Sequence, residues 1–254
     1  MEIIRTVSTL QEIIAVNKKS GKSVGFVPTM GFLHKGHISL IKRSHQENQI
    51  TLLSIYVNPT QFNNPTDYQN YPIDLESDLE LAKKNQVDYV FIPEKEALYP
   101  DQYAYQMQEV NQSLLLEGEY RPGHFTGMLT IVLKLLNIVQ PDKLYLGEKD
   151  YQQYSLIQGM VKALFLQIEV IPCETIREAD GLAMSSRNVR LTPEERARAP
   201  MIYNSLLTSQ SAQEAKDFLE NNGFKVEYVT DLANRRYVAA WLGKTRLIDN
   251  ISRT

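Results

Sequence analysis

The sequence is poor in the features that mark secreted and membrane proteins. It contains one cysteine, Cys173, among 254 residues, so no disulfide can form within the chain. No segment approaches the run of about 18 consecutive apolar residues that a membrane-spanning helix requires. The first residues, with an acidic Glu2, are not typical of a signal peptide. These absences predict a cytoplasmic protein without a membrane partner.

Neither sign of charge is in excess. Lys and Arg number 27 against 30 Asp and Glu, which leaves a net charge of −3. Proteins that bind nucleic-acid backbones rely on a surplus of cations, so a nucleic-acid partner is not expected. A pocket for a small anion needs only a few local cations, and small-molecule substrates remain compatible with this composition.

The order of the apolar segments predicts an α/β fold. Short segments that are almost wholly apolar alternate with amphipathic ones. Strands of this kind are typical of a parallel sheet that helices cover on both faces. We therefore predict a doubly wound, Rossmann-like parallel sheet followed by a smaller C-terminal α+β domain. The strands predicted for the sheet are 23–28, 50–57, 87–92, 143–146 and 168–172.

The pattern changes near Thr175, which predicts one domain over 1–175 and a second over 176–254. At the other end of the chain, Ser8 followed by Gln11 matches a capping box and predicts the start of the first helix. The elements predicted for the second domain are helices over 193–208 and 212–221 and short strands over 226–230, 237–241 and 245–248.

The strongest local pattern lies between the first long strand and the helix after it. His34 and His37 are three residues apart, with Gly31 and Gly36 beside them. The free N–H groups and the dipole at a helix start favour an anion, and glycines let the backbone approach a ligand closely. The pattern predicts a phosphate-binding segment; the ordinary alternative is a pair of surface histidines in a turn.

Two further polar pairs follow predicted strands. Asn58 and Gln61 carry neutral amides suited to hydroxyl and carboxylate groups, although Asn-Pro is also an ordinary turn sequence. Lys149 can supply a positive charge to phosphate beside Asp150, although a helix cap next to a surface lysine is the commoner arrangement. Each pair is weak alone, but in a parallel sheet both would lie at the edge where ligands bind.

A loop and a third histidine complete the candidates. Ser185, Ser186 and Arg187 combine two hydroxyls with a guanidinium, which predicts a phosphate clamp or, alternatively, an ordinary interdomain loop. His124 precedes a long amphipathic helix, and His45 is expected on a helix surface. No His/Cys cluster has the spacing of a zinc site, and no P-loop motif is present.

Taken together, these segments resemble the pantoate–β-alanine ligase family. The resemblance runs in order over nearly the whole chain, and the segments 147–153 and 184–188 distinguish this family from other H-x-G-H nucleotidyltransferases. The segments that carry it are PTMGFLHKGH (28–37), VNPTQF (57–62), the run 121–153, READGLAMSSRN (177–188) and GKTRLIDN (243–250).

The resemblance implies a ligase that uses ATP and Mg²⁺ and acts as a homodimer in pantothenate and coenzyme A biosynthesis. Pantoate's carboxylate would attack the α-phosphate of ATP, and β-alanine would then attack the pantoyl adenylate. A carboxylate is already ionised at pH 7, so the first step needs alignment and charge stabilisation more than a base.

The resemblance also assigns roles to particular residues. His37 would donate a proton toward the departing pyrophosphate with His34 beside it, and Lys149 would neutralise phosphate charge. Gln61, Gln153 and Asn58 are the expected pantoate and β-alanine contacts. The ATP-binding set is Met30, Gly31, Phe32, Leu33, His34, Lys35, Gly36, His37, Gly147, Glu148, Lys149, Asp150, Ile176, Met184, Ser185, Ser186 and Arg187.

The chain departs from the family pattern in two places. Ile73 and Ser77 stand where the family often has an arginine and an acidic residue near the metal, which leaves Asp78 as the candidate Mg²⁺ contact. The region between Ala199 and the closing segment 243–250 is also shorter than usual.

Two alternative functions remain open at this point. Another H-x-G-H adenylyltransferase would act on a phosphorylated acceptor, which would require cations where this chain has Asn58, Gln61 and Gln153. A nucleotide-binding module without catalysis would not require the histidines, the lysine and the serine–arginine loop that are intact here.

Overall fold

A computed structural model describes residues 1–253. The larger of its two sheets has six strands, all paired in parallel in the order β1-β4-β3-β2-β5-β6. This confirms the predicted fold class. The strands are β1 (Glu2–Ile4), β2 (Val24–Thr29), β3 (Ile50–Ile55), β4 (Tyr89–Phe91), β5 (Lys143–Gly147) and β6 (Glu169–Cys173).

Helices connect these strands and continue into the C-terminal region. No helix of the described residues is both long enough and apolar enough to cross a membrane. The α-helices are α1 (Val7–Lys19), α2 (Lys35–Glu47), α3 (Pro65–Gln69), α4 (Leu75–Lys84), α5 (Lys95–Leu98), α6 (Glu117–Tyr120), α7 (His124–Val139), α8 (Tyr151–Ala163), α9 (Pro193–Arg198), α10 (Met201–Thr208) and α11 (Ala212–Asn221), and the 3₁₀ turns are Pro59–Gln61, Gln112–Leu114, Glu148–Asp150 and Ser186–Arg190.

The strand order creates a switch point between β2 and β5. The chain passes from β2 to neighbouring β3 on one side, and β5 pairs with β2 on the other side. Doubly wound sheets bind ligands beyond the carboxyl ends of the strands at such a point. The histidine segment follows β2, the Asn58–Gln61 pair follows β3, and Lys149 follows β5.

The core of the sheet explains why the apolar strands could be read from the sequence. All six residues of β3 are buried, because a central strand of a covered parallel sheet has no solvent-exposed face. Side chains from α2 and α4 pack against one face of the sheet and form an apolar cluster with it. The cluster includes Val27, Leu53 and Val90 from the strands and Ile41 and Ala82 from the helices, all fully buried.

The chain forms two compact units that are not continuous in sequence. One unit comprises Met1–Leu33, His37–Gly147 and Gln152–Cys173, and the other comprises His34–Gly36, Glu148–Tyr151 and residues 174–253. The predicted division of the chain at residue 175 stays a prediction.

An antiparallel three-stranded sheet lies in the second unit. Its strands are β7 (Lys225–Leu232), β8 (Arg235–Leu242) and β9 (Thr245–Ser252), in that order. The predicted strands were too short, because tight hairpins let the strands run almost to the turns. Ala233 and Asn234 both have positive φ, as a two-residue type I′ hairpin requires, without the glycine that usually signals it.

Two helix boundaries differ from the prediction. The first helix is capped by Thr6, whose side chain accepts a hydrogen bond from the Thr9 N–H, and Ser8 lies inside the helix. The predicted helix over 193–208 is two helices, α9 and α10, separated at Pro200. Proline lacks the N–H that a continuous helix would use there.

Candidate active site

The loop that follows β2 is held by a buried carboxylate from α4. Asp78 is only 2% exposed, and its two oxygens accept hydrogen bonds from Phe32 N (2.8 Å) and Leu33 N (2.6 Å). Gly31 and Phe32 have φ values of +82° and +52°, and a left-handed non-glycine residue costs about 1 kcal/mol. The paired hydrogen bonds hold the loop in this costly conformation.

Glycine is required at position 31 for steric reasons as well. A Cβ at Gly31 would lie 2.8 Å from Asp78 Oδ2 and 3.1 Å from the Ile55 side chain. The carboxylate and the loop backbone therefore fit each other closely. The loop that leads into the histidine motif thus depends on a residue 45 positions beyond Leu33 in the sequence.

Asp78 was also the candidate contact for Mg²⁺. Burial raises the pKa of Asp78, and the bonds from Leu33 and Phe32 act in the opposite direction. Among residues 1–253 no group of three or more His, Cys, Asp or Glu side chains is arranged to hold a metal ion. The described residues therefore do not fit a metal held by the protein alone, and Asp78 already serves the loop with both oxygens.

We expect Asp78→Asn to loosen this loop. The amide would turn its NH₂ group toward one of the two backbone N–H groups, which leaves a buried donor unsatisfied and costs about 1–3 kcal/mol. Urea unfolding should report that loss, and the KM for ATP should rise. Asp88→Asn is the matched control, because Asp88 also accepts a backbone N–H, from Thr51 in β3 (2.8 Å), but away from the loop. An Asp78→Asn enzyme with an unchanged KM for ATP would contradict a role for Asp78 in shaping the site.

His34 is held as a neutral imidazole. Its Nδ1 lies 3.1 Å from the Gly36 N–H and accepts its hydrogen bond, so the ring proton of the neutral form is on Nε2. Burial and then the charge of Lys149 lower the pKa of His34 to about 4, against a smaller opposing effect of Asp150. At pH 7 His34 is thus a neutral hydrogen-bond donor through Nε2.

An NMR titration of the imidazole protons tests this state. The His34 resonance should titrate near pH 4 and not near its usual 6.5, and Lys149→Met should move the midpoint upward because the neighbouring positive charge is removed. Since the pKa falls on folding, the contribution of His34 to stability is complete above pH 6.5 and is lost as the pH falls toward 4. A His34→Gln variant assigns the resonance, and an unshifted midpoint would refute the buried neutral state.

The rest of the histidine motif lies at the beginning of α2. This helix begins at Lys35, which is exposed, and His37 lies half-buried in the first turn. Met30 is half-buried in the loop before it. His45 is exposed in the last turn of the same helix, as expected.

The side-chain amide of Asn58 makes all of its observed hydrogen bonds within the protein. Its Nδ2 donates to Gln61 Oε1 (3.0 Å) and to the Gly127 carbonyl (3.3 Å), and its Oδ1 accepts from Tyr99 OH (2.7 Å) and Thr60 Oγ1 (3.1 Å). Asn58 is only 1% exposed. These bonds fix the orientation of the Gln61 amide, because the oxygen of Gln61 faces Asn58 and its NH₂ group is left to point away.

The backbone of Gln61 is fixed from the start of α7. His124 is buried, and its Nδ1 lies 2.8 Å from the Gln61 carbonyl oxygen. A Cβ at Gly127 would lie 2.2 Å from the Thr60 carbonyl oxygen, so only glycine lets α7 approach this turn. The sequence pattern assigns no role to His124, and nothing in it links Tyr99 to Asn58.

Two neighbouring glutamines in α8 have different surroundings. Gln152 is tied to an adjacent loop, since its Nε2 donates to the carbonyls of Gln112 (2.9 Å) and Leu115 (2.7 Å) and its Oε1 accepts from Glu117 N (3.1 Å). Gln153 is half-buried.

Lys149 lies in the 3₁₀ turn that follows β5. Its side chain is 19% exposed, and its Nζ is 3.8 Å from Asp150 Oδ1. Gly147 and Glu148 precede it and are half-buried, whereas Asp150 is exposed. The charge of Lys149 lowers the pKa of His34, so the two side chains lie close enough to interact electrostatically.

The loop between Ile176 and Arg187 is a small hairpin. Met184 N donates to the Ile176 carbonyl (3.0 Å), and Ser185 Oγ accepts from Arg187 N (3.2 Å) to begin a 3₁₀ turn. Ser186 is buried, and Arg187 is half-buried. A Cβ on Gly36 would lie 3.8 Å from the Met184 Cβ, which brings the loop and the histidine motif together.

The fold defines an α/β protein of the doubly wound class, in which the segments that carry His34 and Lys149 each follow a strand of the parallel sheet. Comparison with known proteins identifies it further. The pantoate-beta-alanine ligase family model matches residues 2–252. A pantothenate synthetase of Bdellovibrio bacteriovorus is 52% identical over 250 residues, which cover 98% of each chain.

Two solved structures agree with this match. A pantoate-beta-alanine ligase from Francisella tularensis, described as complexed with beta-gamma ATP and beta-alanine, superimposes with a TM-score of 0.94 at 44% identity and covers 99% of this chain and 97% of its own. A pantothenate synthetase from Thermus thermophilus gives 0.92 at 38% identity, with 99% of each chain covered.

The chain belongs to the pantoate-β-alanine ligase family. It is a ligase of pantothenate biosynthesis, and its reaction is the ATP-dependent condensation of pantoate with β-alanine. The nearly complete coverage of the Bdellovibrio relative, 98% of each chain, indicates that the short C-terminal region occurs in that relative as well.

Proposed function

We propose that the first step is an adenylation in which Gln61 and Gln153 hold pantoate. A carboxylate oxygen of pantoate attacks the α-phosphorus of ATP, the bond to the bridging oxygen breaks, and pyrophosphate leaves. His37 donates a hydrogen bond or a proton to the departing oxygen, and His34 assists through its neutral Nε2–H. Met30 to His37, Gly147 to Asp150, Ile176 and Met184 to Arg187 bind ATP, and Lys149 neutralises phosphate charge.

In the second step the amine of β-alanine attacks the acyl carbon of pantoyl adenylate. The nitrogen–carbon bond forms, the bond from the acyl carbon to the phosphate oxygen breaks, and AMP leaves. The amine is cationic at pH 7, so it must lose one proton before attack and another afterwards. Gln61 is the residue that we assign to β-alanine in this step.

The orientation of the Gln61 amide carries this proposal. Asn58 Nδ2 donates to the side-chain oxygen of Gln61 at 3.0 Å. The NH₂ group of Gln61 is then the part of the amide that can donate to a carboxylate or hydroxyl of the substrate. A phosphorylated acceptor would need cations at this position. We therefore assign Asn58 an indirect part in substrate binding, through Gln61, and we favour a hydroxy acid as the acceptor.

Mg²⁺ is proposed to arrive on the phosphates of ATP. Magnesium commonly keeps several waters and is bound through substrate phosphates and one or two carboxylates. Since Asp78 already accepts two backbone hydrogen bonds, we treat the metal as part of the MgATP substrate. It would offset the repulsion between pantoate and the triphosphate.

We further propose that the protein is a cytoplasmic homodimer with a division of labour between 1–175 and 176–254. The cytoplasmic location is consistent with the single cysteine, Cys173. Tyr105, Val110 and Leu114 are 79%, 63% and 59% exposed, and apolar side chains exposed close together can mark a contact with another protein. Sedimentation analysis should give about twice the chain mass of 29.1 kDa.

An oxygen-18 experiment tests the proposed chemistry. Pantoate labelled in its carboxylate is incubated with ATP, Mg²⁺ and β-alanine, and the products are analysed by mass spectrometry. Attack at the α-phosphorus transfers one labelled oxygen to AMP and none to pyrophosphate. Label in a terminal phosphate would indicate a different phosphoryl transfer, and unlabelled AMP would refute an acyl adenylate.

A further inference from the structure

The backbone of the lysine turn is tied to strand β9. Asn250 is 4% exposed, and its Nδ2 donates to the carbonyl oxygens of Glu148 (3.0 Å) and Lys149 (2.8 Å). Both donors of one side-chain amide are thus spent on two consecutive carbonyls. A short 3₁₀ turn has few internal hydrogen bonds of its own, so this contact sets the position from which the Lys149 side chain leaves the backbone.

Arg235 on β8 fixes the Asn250 amide and encloses the same turn. Its guanidinium donates to Asn250 Oδ1, approaches Glu148 Oε1 at 3.4 Å, and lies 3.7 Å above the ring centre of Tyr151. The hydrogen bond to Asn250 Oδ1 leaves only the NH₂ group of the amide to face the turn. Contacts from Asn250 and Arg235 therefore hold the turn at Glu148 and Lys149, and they also reach Tyr151, the residue after the turn.

Asp249, the residue before Asn250, anchors the loop that begins at Ile176. Asp249 is 3% exposed and receives a two-pronged ion pair from Arg177, with distances of 2.6 and 2.9 Å. Arg177 also stacks 3.6 Å above the Tyr203 ring. Because Asp249 Oδ1 accepts from Asn250 N (2.8 Å) as well, two adjacent residues of β9 hold both the lysine turn and the loop that begins at Ile176.

We propose that Asn250 is a positioning residue for ATP, which acts by setting the backbone of Lys149. The proposal rests on the assignment of Lys149 to ATP phosphate. It gives the C-terminal sheet an indirect part in nucleotide binding, through the backbone of the lysine turn. A residue that only stabilised the sheet would change the melting temperature and leave the KM for ATP unaltered.

The substitution Asn250→Asp separates these possibilities. Aspartate has the same shape and keeps the oxygen that Arg235 contacts, but it replaces the donor by an acceptor that faces two carbonyls. We expect the KM for ATP to rise about tenfold, the ratio produced by the loss of one or two ordinary hydrogen bonds, while the KM for pantoate stays within about twofold.

The matched control is Asp231→Asn, another isosteric change in the same sheet. Asp231 pairs with the fully buried Arg236 at 2.7 Å, and Arg236 also donates to the carbonyls of Ser209 and Gln210, which lie outside the lysine turn. We expect a lower melting temperature and an unchanged KM for ATP. If Asn250→Asp does not fold, Arg235→Lys provides a second test, because lysine keeps the charge but cannot hold both Asn250 and Glu148; a KM for ATP raised about threefold is expected.

A double variant distinguishes this proposal from the one on which it rests. If Asn250 acts through Lys149, Asn250→Asp should add little to the KM for ATP once Lys149→Met is present. An unchanged KM in a folded Asn250→Asp enzyme, or effects that simply multiply in the double variant, would overturn the role of Asn250 alone. An unchanged KM in Lys149→Met would overturn the ATP assignment of Lys149, and the present proposal with it.

Discussion

His37→Ala should slow formation of pantoyl adenylate by about 10²–10³-fold, the cost of removing one preorganised donor from a developing charge. Negative charge accumulates on the bridging oxygen as pyrophosphate departs, and an imidazole at the start of α2 is suited to meet it. The fold should remain intact, since His37 is half-buried in the first turn of the helix and does not belong to the apolar core. Single-turnover measurement of adenylate, with pantoate and ATP but no β-alanine, isolates this step.

His45→Ala is the control for His37, because His45 is exposed in the last turn of the same helix and its loss should leave the rate unchanged. His37→Gln retains an N–H donor without a titratable ring and should recover part of the lost rate. Adenylate formation at the normal rate in His37→Ala would remove His37 from the mechanism.

Lys149→Met should lower kcat/KM for ATP by a comparable factor of about 10²–10³. Methionine retains most of the apolar stem, so the change removes the ammonium group and little packing. The ammonium lies in a partly buried turn with 19% side-chain exposure, where a charge is screened by water less than it would be on the surface. The loss should appear in both the KM for ATP and kcat, because phosphate charge is present in the bound substrate and in the transition state.

Lys143→Met is the control for Lys149. Lys143 lies in the strand that leads into the same turn, but its Nζ is 3.0 Å from Glu47 Oε2 in a surface ion pair, and we expect unchanged kinetics. Lys149→Arg should be only partly active, because a planar guanidinium does not take the place of a compact ammonium. Normal kinetics in Lys149→Met would show that phosphate charge is neutralised by other groups.

The parallel sheet could be predicted from the sequence because its central strands are buried on both faces. Such strands are apolar at most positions, as in β3, where four of six residues are Ile or Leu, and the signal lies within the strand itself. The break between α9 and α10 at Pro200 has a signal in the sequence, because proline cannot continue a helix. The sequence pattern could not decide whether Thr6 or Ser8 caps the first helix, since several hydroxyl residues lie close together there.

The candidate site divides in the same way. The histidines, Gln61 and Lys149 could be selected because each lies in the segment that follows a strand, where this class of sheet binds ligands. The positions that support them could not be selected. The Asn250 side chain contacts Lys149 across 101 residues, and Asp78 contacts Leu33 across 45; neither pairing leaves a trace in local spacing.

Exchange of labelled pyrophosphate into ATP tests the central claim, that pantoate is adenylated before the amine takes part. The enzyme is incubated with ATP, Mg²⁺ and labelled pyrophosphate, with and without pantoate, and β-alanine is withheld. The account predicts that label enters ATP only when pantoate is present, and that His37→Ala abolishes most of the exchange. No exchange until β-alanine is added would contradict a free adenylation step, and exchange that does not depend on pantoate would contradict the assignment of the acceptor.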